Sequence, residues 1–106
     1  MPQQVLNALS GQLPIALGDL YLGVQGVNQI TSVILTNTDT VARTVNLLVK
    51  RSTDTVGRNV LPKSMSLDPN ASVSFETPLT LISGDLLQGF ASVASKIDYT
   101  INGYLE

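Results

Sequence analysis

From Ile30 onward the chain reads as short β-type runs cut by turn residues, a pattern that leaves little room for anything but antiparallel sheet. Ile30 to Thr36 is rich in Ile, Val and Thr, and the polar group Asn37-Thr38-Asp39-Thr40 ends it. Arg43 to Arg51 puts Val45, Leu47 and Val49 on one face and Thr44, Asn46 and Lys50 on the other, with Leu48 as the exception. After a loop with Asp54 and Gly57, the run from Asn59 to Leu67 contains Pro62, which removes a ladder donor and so predicts a sheet edge or a break. Asp68-Pro69-Asn70 predicts a type I turn, so Asn70 reads as a turn residue rather than a glycosylation acceptor. Val73 and Phe75 alternate with Ser72, Ser74 and Glu76 until Pro78. Gly84-Asp85 marks another turn, and the segment that follows from Leu86 is small or apolar on both faces, as a central strand requires. Ile97, Tyr99 and Ile101 then alternate with Asp98, Thr100 and Asn102 and stop at Gly103. Runs recurring about every 8–12 residues, with no long helical pattern beside them, predict a single all-β domain, an antiparallel β-sandwich of Ig-like or jelly-roll topology.

The first 30 residues are less patterned. Residues 1–12 read as an N-terminal arm or a short helix, with Pro2 at its start and Gly11 just past its end. Residues 13–106 then form the sandwich, in which Leu13–Leu17 and Leu20–Val24 are candidate strands around Gly18-Asp19. An arm carrying Val5, Leu6 and Leu9 without a charge needs a surface to lie on, which makes these three candidate partner-binding residues. Gly18-Asp19-Leu20 and Gly84-Asp85-Leu86 match each other, but so short a match in a chain rich in Gly and Leu reads as coincidence.

The chemistry is restricted by what is missing. In 106 residues there is no His and no Cys, which removes Ser-His and Cys-His nucleophile pairs, thiolate chemistry and structural zinc. The acidic residues sit mostly in turn sequences, where Asp caps local donors, and none has the spacing of a carboxylate pair or a calcium loop. No glycine pattern forms a phosphate cradle. The expectation is a protein that is not an enzyme and holds no cofactor and no metal. A net charge of −2 with two Phe and three Tyr argues against nucleic acid as a partner. No apolar run approaches the roughly 20 residues of a spanning helix, so a membrane is not expected either. The uncharged first 18 residues lack a basic start and are interrupted by Pro14, so they read as a mature N-terminus rather than a signal peptide.

The surface composition points toward assembly. Only 13% of the residues are charged, about half the usual share. Ser, Thr, Asn and Gln cover the rest of the polar surface and are far less costly to desolvate than ions. Five of the six basic residues fall between positions 43 and 63. Arg43, Lys50, Arg51 and Arg58 therefore describe either charges guarding a sheet edge or a basic patch that meets an acidic neighbour.

Taken in order, Ile34-Leu35-Thr36-Asn37, Val45-Asn46-Leu47, Leu67-Asp68-Pro69-Asn70, Pro78-Leu79-Thr80-Leu81, Gly84-Asp85-Leu86 and Ala91-Ser92 resemble small β-sandwich virion proteins of tailed bacteriophages. The likeness covers about the last three quarters of the chain and consists of strand and turn positions. It implies a non-enzymatic structural part located in the virion, on the capsid surface or tail. The first expectation is a homo-oligomeric cement or decoration protein bound to the major capsid protein or other virion proteins. The alternatives are a neck or tail accessory protein and, in a different class, a host-surface or carbohydrate-binding module, for which Tyr21, Tyr99 and Tyr104 are the only candidate platform. Because no metal-ligand cluster is expected, melting curves with and without EDTA should overlay. A fall of several degrees in the chelator would reveal a calcium site among the turn aspartates.

Overall fold

The computed structural model describes residues 4–5 and 9–105. Among them are eleven strands and no helix: β1 (Gln4–Val5), β2 (Leu9–Gln12), β3 (Gly18–Leu22), β4 (Asn28–Asn37), β5 (Arg43–Lys50), β6 (Arg58–Asn59), β7 (Met65–Leu67), β8 (Ser72–Phe75), β9 (Leu79–Leu81), β10 (Leu86–Ala91) and β11 (Ile97–Leu105). In one sheet β11 and β4 form the centre, paired antiparallel from Ile97 with Asn37 to Leu105 with Asn28. β1 and β2 lie along the free side of β11, and β8 and β9 along the free side of β4. In the other sheet β10 lies between β3 and β5, and β6 and β7 share the outer side of β5. Counting each pair of short runs along one partner as a single interrupted strand, the chain crosses the sandwich eight times, in the orders 1-8-3-6 and 2-7-4-5. That interleaving is the jelly roll, which settles the topology between the two expected forms.

Local chemistry explains the interruptions. The run with Pro62 is both an edge and broken: Val60 N–H still reaches Leu47 O at 2.9 Å, and pairing resumes only at Met65. Pro78 divides β8 from β9 in the same way. The turn at Asp68 closes with Ala71 N–H donating to Asp68 O at 3.0 Å, but Asn70 has φ 61°. Positive φ at the third position is the signature of a type II turn rather than the type I turn expected, and Asn tolerates it. Gly84, with φ 91°, fills the same position in the turn from Ile82 to Asp85. The last strand does not stop at Gly103 but continues to Leu105, because the register shifts there. A Cβ on Gly103 would lie 2.2 Å from Gln29 O, so only glycine lets the two strands close around that bulge.

The core lies between the sheets and is built by the alternation legible in the strands. Ile30, Val33 and Leu35 of β4 and Ile97 and Ile101 of β11 face Val45, Leu47 and Val49 of β5 and Leu87 and Ala91 of β10. Each fully buried Leu, Ile or Val contributes about 1.5–3 kcal/mol relative to exposure. Strand β10 is buried on both faces, as its composition predicted. The exception in β5, Leu48, is buried too: the loop between β5 and β6 crosses the outer face of that sheet, where a Cβ on Gly57 would lie 3.2 Å from the Leu48 side chain. Beside it Asn46 accepts from Ser64 N–H at 2.9 Å.

The described parts of the first 12 residues are strand rather than helix, with β1 opposite Tyr104 and Leu105 and β2 opposite Asp98–Ile101. Gly11 lies within β2, where a Cβ would meet the Tyr99 ring at 3.0 Å, so its small size makes room for an aromatic rather than a hinge. Of the two candidate strands that follow, one becomes β3 while Leu13–Leu17 carries the chain from one sheet to the other.

Two fully buried asparagines end β4. Asn28 Nδ2 donates to Val24 O at 2.8 Å and Leu81 O at 3.0 Å, while its Oδ1 accepts from the Tyr21 hydroxyl. Asn37 Nδ2 donates to Leu67 O at 2.9 Å and Val41 O at 3.0 Å, while its Oδ1 accepts from Asp39 N–H. Removing either amide leaves buried carbonyls without a donor. Asn37→Ala should therefore cost about 2–4 kcal/mol, seen as a lower urea midpoint with an unchanged slope. A loss below about 0.5 kcal/mol would show that water replaces the amide.

Candidate functional site

The basic residues singled out by sequence do not form one free patch. Arg43 begins β5 and Lys50 ends it, so the first is separated from the other three by roughly 23 Å of strand at about 3.3 Å per residue. Arg43 Nε donates to Asp39 Oδ2 at 2.8 Å, Arg51 Nη1 to Asp85 Oδ2 at 3.0 Å, and Arg58 Nε lies 3.8 Å from Asp54 Oδ2. Lys50 has no ion pair among the described residues. Only Arg51 and Arg58 share a site: with Asp54 they rim a cleft of about 430 Å³ whose walls are Val49, Val60 and Leu79. The cleft lies where β5 and β6 of one sheet meet β9 of the other. The apolar candidates are placed by backbone alone: Val5 is in β1 and Leu9 in β2, while Leu6 lies outside the described residues.

Asp85, which the sequence presented as one turn residue among several, organises this end of the sandwich. Its side chain is 4% exposed. Oδ1 accepts from Ser52 N–H at 3.0 Å, and Oδ2 accepts from Ile82 N–H at 3.1 Å and from Arg51. Arg51 Nη1 also donates to Thr80 O at 2.6 Å, so one carboxylate and one guanidinium join β9, the β5–β6 loop and the turn before β10. Burial works against the charge on Asp85, but the Ile82 and Ser52 N–H groups and Arg51 outweigh it and hold the carboxyl below the usual carboxylate range. Asp39 is lowered as well, first by Arg43 and then by Thr40 N–H. Asp19, the counterpart of Asp85 in the short sequence match, is exposed on β3 and accepts from Gln88 Nε2, so the two aspartates have unrelated roles.

No three acidic side chains gather as a metal site among the described residues. The three tyrosines form no common platform: Tyr21 and Tyr99 pack against the core, the first bonded to Asn28, while Tyr104 pairs with Gln29 beyond the bulge. An arrangement of this kind clamps loops through charge-assisted hydrogen bonds.

The folded state prefers Asp85 and Asp39 ionised, so their contribution is complete above the ordinary carboxylate range and lost as pH falls through the lowered values. The urea midpoint should hold from pH 7 to about 5 and drop below about pH 4. Asp85→Ala should cost about 2–3 kcal/mol at pH 7 and flatten the acid limb. An unchanged acid limb in that variant would remove Asp85 from the linkage.

No family model matches the chain, and no curated protein matches it. Among solved structures it is similar to a pentameric capsid protein isolated from metagenomic phage sequences. The likeness has a TM-score of 0.50 at 14% identity, covering 92% of this chain and 59% of that one. A second crystal structure of a pentameric capsid protein isolated from metagenomic phage sequences, solved by iodide phasing, gives 0.50, 14%, 92% and 60%. This chain thus spans about three fifths of the length of the solved chains it matches, and what it shares with them is the fold.

Proposed function

We propose that this chain is a non-enzymatic structural protein of a phage virion that associates with copies of itself and sits on the capsid as a cement or decoration protein. The observation that carries the reading is the fold likeness that 92% of this chain, a two-sheet jelly roll, has to a pentameric phage capsid protein. Low charge supports it, since a surface of Ser, Thr, Asn and Gln loses little on being covered by a neighbour. A small protein that bridges capsomers stabilises a shell because opening must expose the area each bridge buries. The major capsid protein is the proposed partner, met by Val5, Leu6 and Leu9 of the first 12 residues. Of the four basic candidates, Lys50 and Arg58 have the most charge left to offer, because Arg43 and Arg51 are held by short ion pairs.

The direct test is made on phage particles with and without the gene for this chain. Separated capsids should contain the protein and tails should not, and particles lacking it should release their DNA at a temperature lower by several degrees. Recovery with the tail fraction would favour the neck or tail role. Absence from purified particles would remove the virion reading altogether.

A further inference from the structure

The cleft between β5–β6 and β9 is open because both sheet edges are interrupted there. Strand β6 has two residues, with Pro62 soon after it, and β9 has three, with Pro78 just before it. The gap they leave, about 430 Å³, reaches inward to the buried Val49, between Val60 and Leu79, which pack against the core. Three charged side chains stand at its mouth: Arg51, Arg58 and Asp54. Arg58 is 80% exposed and its Nε lies 3.8 Å from Asp54, beyond hydrogen-bond range. Arg51 spends Nη1 on Thr80 O and Asp85, while its Nε and Nη2 have no partner among the described residues. The acid that holds Arg51 belongs to the neighbouring cleft, which Asp85 lines with Ser52 and Thr80, and there Ser52 and Ile82 N–H groups also meet it. Two guanidinium groups and one carboxylate thus line the mouth above apolar walls.

Apolar walls beneath two cations select a ligand that carries an anion beside an aliphatic group. A carboxylate meets a guanidinium fork with two parallel hydrogen bonds. We infer that the cleft receives an acidic–aliphatic segment of the neighbouring virion protein. An Asp or Glu carboxylate of that segment sits on Arg58 and Arg51, and the adjoining Leu, Ile or Val side chain lies against Val49, Val60 and Leu79. The inference rests on the proposed reading of the chain as a virion protein bound to a protein partner, and it adds the place and chemistry of one contact. Charge complementarity sets the occupant. A basic segment would bring a third cation to the mouth, and a wholly apolar one would cover two guanidinium groups without replacing their hydration. A nucleic-acid phosphate would satisfy the arginines but has no aliphatic group to fill the walls. Asp54 opposes the incoming carboxylate, which keeps a single contact weak and suits a site repeated many times over a shell.

Methyl NMR of the full chain tests this with acetyl-Leu-Glu-Leu-amide, its analogues with Gln or Lys at the centre, and hexanoate as a free carboxylate. The Glu peptide should shift the Val49, Val60 and Leu79 methyl resonances and bind about tenfold more tightly than the Lys peptide. Asp54→Asn should tighten that binding, Arg58→Gln should weaken it about tenfold, and Arg58→Glu should turn the preference toward Lys. If either Arg58 variant fails to fold, added salt makes the same test on the wild-type chain, weakening the Glu peptide and sparing the Gln peptide. Equal binding of all the peptides, or shifts confined to other residues, overturns the inference. Saturation by hexanoate without a response to the Glu peptide overturns a protein occupant in favour of a small carboxylate. Each of these failures leaves the virion reading standing, because that reading fails on absence of the protein from purified particles.

Discussion

The sandwich depends on what happens at the two ends of β4. This strand sits in the middle of its sheet, paired with β11 on one side and with β8 and β9 on the other, and each end is a fully buried asparagine. Paired sheets do not by themselves hold the loops that join them, because loop carbonyls turned inward need donors that no strand supplies. Asn28 supplies them to Val24 and Leu81, and Asn37 to Val41 and Leu67. A jelly roll needs such fasteners, since nearly all of its contacts join segments far apart in sequence and local turns cannot fix their relative position. Asp85 with Arg51 adds a third fastener at the Asn28 end, where Gly23 N–H reaches Asp85 O at 2.8 Å.

The same economy with charge shapes the surface. Two of the six basic side chains, Arg43 and Arg51, are held by short ion pairs to acids of the same chain, and Arg51 also reaches Thr80 O in the other sheet. The most buried acid among the described residues, Asp85, fastens the turn from Ile82 to the loop after β5. The first 38 positions carry a single charge, Asp19, and include four of the seven large apolar side chains exposed among the described residues: Ile15, Leu17, Leu22 and Val24.

Much of the fold was legible because period and punctuation carry it. The alternation of Val45, Leu47 and Val49, the two buried faces of β10 and the break at Pro62 all follow from residue type and spacing. Three things were hidden, each decided by a distant contact. Gly103 reads as a strand end, but it is the point at which Gln29 O approaches. Leu48 reads as misplaced, but a loop covers it. Asp85 reads like any turn aspartate, and only the fold brings Ser52 and Arg51 to it. The basic residues clustered in sequence because β5 and β6 are adjacent, yet a strand of eight residues spread them to opposite ends. No pattern in one chain reports that separation without the register.

A cryo-electron microscopy map of the particle tests the account most directly. It predicts a two-sheet jelly roll of this size seated on the capsid shell, with the segment of residues 1–12 against the major capsid protein. A map in which that segment faces open solvent, or in which no such density is attached to the capsid, contradicts it.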